Sequence, residues 1–124
     1  MRIFHTSDLH LNEDETRWKA LQTVLNKVQE EKGEYLVISG DVFHKAFKAS
    51  LLRDRLRPLL DDYSFETILI RGNHDANGYP QNPYLGDNAT FLNDEPYQID
   101  EREDVRFIGL PYQDKVSERV LDFI

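Results

Sequence analysis

YLVISGD, residues 35 to 41, decides how the rest of the chain is read. Tyr35-Leu-Val-Ile38 is an unbroken apolar, β-favouring run, and a strand without polar alternation belongs to a parallel sheet covered on both faces. Gly40 lets the backbone turn sharply as it leaves that strand, and Asp41 follows directly. The flanks agree with this reading. Upstream, Thr16 to Lys32 carries Trp18, Leu21, Val24, Leu25 and Val28 at helical spacing, and Gly33 supplies a stop. Downstream, Ala49 to Leu60 places Leu51, Leu52, Leu56, Leu59 and Leu60 on one stripe, with Pro58 expected to end or kink the helix.

Two further strands complete the alternation. Arg2 to Thr6 is a short β-favouring run, and Thr67-Ile-Leu-Ile70 is a third strand; Val105 to Leu110 is expected as a fourth. Between the third and fourth, residues 76–104 read as a long irregular segment, with Ala89 to Leu92 expected as a short helix inside it. The predicted class is α/β: a βαβαβ parallel sheet with flanking helices, connected by right-handed crossovers. All strand carboxyl ends then share one edge, which is where ligands bind in open parallel sheets.

Chemically capable residues collect on that edge. The first strand runs into Asp8-Leu-His10, the second into Gly40-Asp41-Val-Phe-His44, and the third into Arg71-Gly72-Asn73-His74-Asp75. Taken as extended, Asp8 and His10 at i and i+2 point the same way and can grip one ion. A carboxylate such as Asp41 offers two oxygens and can bridge two cations. Asn73 adds a neutral oxygen without more negative charge, and His74 adds a titratable proton. A mixed oxygen and imidazole set suits manganese, iron, zinc or magnesium better than copper or an iron-sulfur cluster. Each motif alone has a plainer reading as a cap or turn, and His5, inside the first strand, reads as structural. Their conjunction, each after a strand, is what points to a metal centre.

Composition narrows the function classes. With 124 residues, 40% of them hydrophobic and 31% charged, the chain is a single soluble domain with enough apolar material for a core. It contains no cysteine, so thiolate ligands and disulfides are excluded. No run approaches a membrane span and the start lacks a signal-peptide layout, so a cytoplasmic location and no membrane partner are expected. The net charge of −8 argues against binding phosphate backbones by bulk attraction. Lys45, Lys48, Arg53, Arg55 and Arg57 crowd one segment, which reads first as a solvated helix face and second as a nucleic-acid patch.

Ser7-Asp-Leu-His10, Gly40-Asp-Val-Phe-His44 and Arg71-Gly-Asn-His-Asp75 together resemble the calcineurin-like metallophosphoesterase superfamily. HTSDLHL at 5–11, GDVFH, RGNHD and GLPY at 109–112 are most similar to the SbcD-type DNA double-strand-break repair nucleases within it. The resemblance implies two divalent cations, manganese first, with magnesium, iron or zinc as alternatives. Asp8 and His10 would hold one, Asp41 would bridge both, and Asn73 would bind the second. His74 would be the catalytic residue, oriented by Asp75, and His44 would guide the substrate strand. The implied reaction is in-line attack of an activated water on a phosphodiester of DNA.

The implied partners are DNA, an SbcC-like ATPase subunit and a second copy of the chain. Family members also draw on later histidines in a Gly-His-x-His motif, whereas the histidines here are His5, His10, His44 and His74. The sequence is therefore expected to be a partial domain over 1–124, the amino-terminal half of a two-sheet sandwich. Weak or absent activity in isolation and an exposed apolar sheet face are the corollaries. The other readings are another phosphatase or cyclic-nucleotide phosphodiesterase of the superfamily, and a dimerising module built on the leucine stripe.

Overall fold

The computed structural model describes residues 1–43, 49–70, 85–92, 97–98 and 106–108. Their order is β1 (Ile3–Thr6), α1 (Glu15–Glu30), β2 (Tyr35–Ser39), α2 (Ala49–Asp61), β3 (Glu66–Ile70), β4 (Ala89–Leu92), β5 (Tyr97–Gln98) and β6 (Arg106–Phe107). β1 to β4 form one parallel sheet in sequence order, with His5, Val37, Ile68 and Thr90 in one register row. The fold is α/β, as the continuous apolar runs require.

One face of this sheet carries the main core. Leu36 and Ile38 of β2 and Leu69 of β3 pack with Trp18, Leu21, Leu25 and Val28 of α1 and with Leu52, Leu56 and Leu60 of α2. Burying one such side chain contributes about 1.5–3 kcal/mol, so this layer is the main source of stability. The described leucines of the α2 stripe are thereby used: Leu52, Leu56 and Leu60 are in the core and Leu59 packs against it. The opposite face holds a smaller cluster of Tyr35, Ile68 and Leu92, with Val37 and Phe107 packed on it. Ile3, on the outer strand β1, stays 47% exposed.

Two expectations are corrected. Ala89–Leu92 is a strand: four residues are too few to gain a helix's hydrogen bonds, and pairing with β3 satisfies their backbone. The fourth strand of the sheet is therefore this one, while Arg106–Phe107 pairs antiparallel with β5 in a separate ribbon and sets Phe107 against Tyr35 at 5.3 Å. Pro58 lies inside α2, which continues to Asp61 because Leu60, 1% exposed, is held in the core. At the end of α1, Lys32 takes the left-handed conformation at φ 57, and the Gly33 N–H closes the stop on the Val28 carbonyl.

Candidate metal centre

Asp8 and Asp41 sit two residues past the last residues of neighbouring parallel strands, so the sheet delivers both to one edge. Beyond the strands, backbone hydrogen bonds keep the two loops together. Asp8 N–H donates to the Gly40 carbonyl (3.4 Å), His10 N–H to that of Asp41 (2.9 Å) and Leu11 N–H to that of Val42 (2.7 Å). Leu11 then bridges Phe43, and both are fully buried. The loops are thus anchored into the core just past the polar residues, which leaves Asp8, His10 and Asp41 little freedom to separate.

The local backbone is unusual at these three positions. Asp8 has φ 58, His10 φ 48 and Asp41 φ 53, and Gly40 precedes the last of them at φ 94. Among the described residues the only other non-glycine with positive φ is Lys32, at the helix end. Asp and His are among the residues that tolerate this region best, but it still costs energy, and such strain concentrates at functional sites. The extended geometry expected for Asp8-x-His10 is therefore wrong. Convergence comes from two left-handed residues flanking Leu9 and not from the period of a strand.

The outcome is a group of three metal-type side chains, with one ligand atom from each of Asp8, His10 and Asp41 lying within 4.8 Å of the others. His10 Nε2 is 3.8 Å from Asp8 Oδ1. Bonds of about 2.0–2.2 Å keep atoms around one ion within about 4.4 Å of each other, so small side-chain rotations close the set. Two carboxylates and an imidazole fit a divalent cation of the manganese, zinc or iron type. Ser7 Oγ donates to Asp8 Oδ2 at 3.1 Å, which holds one carboxylate oxygen. His10 is 25% exposed at its side chain and Asp8 67%, so the group has an inner wall and an open side.

The family profile of the calcineurin-like phosphoesterases matches residues 1–123. The chain belongs to the calcineurin-like phosphoesterase family. No curated protein matches it. Metal-dependent hydrolysis of phosphoesters is the chemistry this membership brings, and the three-residue group of this phosphoesterase supplies ligands of the required type.

The remaining expected site residues, His44, Asn73 and His74 with Asp75, lie outside the described residues. β3 ends at Ile70, in register with Ser39 of β2, on the edge that carries Asp8 and Asp41. His5, read as structural, meets Ser39 Oγ through Nε2 at 2.6 Å. In the basic segment, Arg55 is engaged by Glu15 through two hydrogen bonds of 3.0 and 2.7 Å and lies 4.2 Å over the Trp18 ring. That pair holds Glu15 below its ordinary pKa, mainly through the hydrogen bonds. A cavity beside Asp8 was not anticipated. Its signal in the sequence was the Asp14-Glu-Thr-Arg17 start of α1, where Asp14 caps the helix by accepting the Thr16 N–H at 2.9 Å.

Proposed function

We propose that this phosphoesterase hydrolyses phosphodiester bonds of DNA, as the nuclease subunit of a DNA repair complex in the cytoplasm. The convergence of Asp8, His10 and Asp41 at one sheet edge carries the hydrolytic part of the reading. The GDVFH and GLPY stretches, similar to SbcD-type nucleases, support the DNA part. Asp8, His10 and Asp41 would hold a first divalent ion, and Asp41 with Asn73 would hold a second. When bound, manganese or a similar ion offsets the charge on the phosphate and acidifies a water.

The protein's own side chains do the rest. Asp8 is steadied by Ser7, and Asp41 is fixed by the loop hydrogen bonds on either side of it. His74 donates a proton to the departing oxygen, with Asp75 as its orienting partner. His44 guides the strand being cut. An SbcC-like ATPase subunit and a second copy of the chain are the partners that fit this role. The alternative within the family is a phosphatase or cyclic-nucleotide phosphodiesterase, favoured by the net charge of −8.

The deciding assay compares linear double-stranded and single-stranded DNA with p-nitrophenyl phosphate and cyclic AMP, with and without Mn²⁺, for the wild type and His74→Gln. Slow Mn²⁺-dependent shortening of DNA that the variant loses is the expected result, slow because the second ion has only Asp41 and Asn73 with no later histidine beside them. Turnover of the monoester or cyclic nucleotide with DNA left intact would place the protein in the alternative class.

A further inference from the structure

A cavity of about 320 Å³ adjoins the ligand group. Asp8 and Leu9 wall it from the loop after β1, and Asp14, Thr16, Arg17 and Ala20 wall it from the start of α1. Its volume is at the small end of ligand sites, which run from about 300 to 1,000 Å³, so it has room for one nucleoside-sized unit. Because Asp8 belongs to both, whatever is esterified to a phosphate at the ligand group has this recess beside it. Leu9 and Ala20 offer apolar surface to a base or sugar, and Thr16 offers a hydroxyl.

The charges in the recess point to what else the substrate carries. Its acids are Asp8 and Asp14, and Arg17 is its only cation among the described lining residues. The Asp14 carboxylate is committed to the helix: it accepts the Thr16 N–H, which lowers its pKa, and the Arg17 charge lowers it further. Asp8 belongs to the candidate ligand group. A guanidinium in this position has no role in the ligand group itself, yet guanidinium recognises phosphate with paired hydrogen bonds.

We propose that the recess takes the nucleoside unit next to the scissile phosphate and that Arg17 contacts the adjoining phosphate, which makes Arg17 a specificity-determining residue for polynucleotides over isolated phosphate groups. The inference rests on the phosphodiesterase reading above. It goes beyond that reading in naming how a second phosphate is sensed.

Calorimetric titration separates the two. The protein is first titrated with Mn²⁺, and the loaded protein then with inorganic phosphate and with a 5′-phosphorylated thymidine dinucleotide whose internal linkage is a phosphorothioate. The wild type should bind the dinucleotide more tightly than phosphate. Arg17→Gln should weaken the dinucleotide about 5- to 10-fold, as expected for one exposed charged hydrogen bond, and change phosphate affinity by less than about twofold. Lys19→Gln, which removes the same charge two residues along an exposed stretch of α1, should leave dinucleotide binding unchanged. Equal dinucleotide affinity in wild type and Arg17→Gln, or a dinucleotide bound no tighter than phosphate, overturns the role of Arg17 while the metal titration upholds the site. Absence of Mn²⁺ binding by the wild type overturns the phosphoesterase site and this inference with it.

Discussion

Asp41 shows how much one residue is asked to do. It lies in the left-handed region, follows a left-handed glycine, and directs a carboxylate at the ligand group. Asparagine occupies that backbone region readily, whereas a β-branched residue would cost about 1–2 kcal/mol there. Asp41→Asn therefore separates the ligand role from the fold. The variant should keep the wild-type melting temperature without metal, because the backbone is undisturbed. Its Mn²⁺ affinity should fall by at least about 100-fold, the upper end of what losing even an outer partner of a ligand costs. Calorimetry on both proteins, with melts recorded by circular dichroism, checks the two halves; unchanged Mn²⁺ affinity would remove Asp41 from the site. The residue types here were legible in the sequence only through their conjunction, since Asp-x-His and Gly-Asp each read alone as a cap or turn but here follow successive strands. Their left-handed backbone was not legible, since Asp8-Leu9-His10 can equally be written as an extended triplet and only the pairing of the loops decides between the two.

At the scale of the element, α1 ends at Glu30, two residues before the Lys32 expected from the sequence, and its stop is shared between Lys32 and Gly33. Gly33 N–H donates to the Val28 carbonyl (2.8 Å) and Lys32 N–H to that of Gln29 (3.2 Å), the paired bonds of a Schellman cap, with Lys32 as the left-handed residue. Gly33 is there for space: a Cβ built on it would lie 2.6 Å from Val28 Cγ1 and 2.9 Å from the Phe4 ring, both side chains of the core side. The two positions should answer substitution in opposite senses. Lys32→Gly relieves the strained backbone and should raise stability by about 0.5–1 kcal/mol. Gly33→Ala should lower it by about 1–3 kcal/mol through overpacking against Val28 and Phe4. Urea denaturation of both variants reads the signs directly, and a stabilising Gly33→Ala would contradict the packing. Helices α1 and α2 were legible because their apolar periodicity matches the faces they bury. β4 was not, because Ala89–Leu92 is too short to carry a period and gains its identity from the open edge of β3.

For the whole molecule, helices cover one face of the sheet, and on the other, among the described residues, Phe107 packs against Tyr35 beside the buried Ile68 and Leu92. The unbroken apolar runs of β2 and β3 announced a sheet with two buried faces, and they announced the edge where ligands gather. They could not say how the second face is covered, since that depends on segments distant in sequence and weak in pattern. Glu66 reports on the partly covered face. It pairs in register with Tyr35 at the start of β3, and burial raises its pKa above the ordinary 4.5. The folded chain thus holds this proton more tightly than the unfolded chain does. The stabilisation from the neutral form is complete below pH 4.5 and is lost as the pH rises through the folded-state value. Glu66→Gln keeps the shape and removes the charge that must be desolvated. The metal-free variant should melt a few degrees above the wild type at pH 7, and the gap should close as the pH is brought below 4.5. Paired thermal melts at pH 4 and pH 7 in one buffer salt decide it. A wild type at least as stable as the variant at pH 7 would mean that Glu66 is better solvated, or better partnered, than its place on the sheet implies.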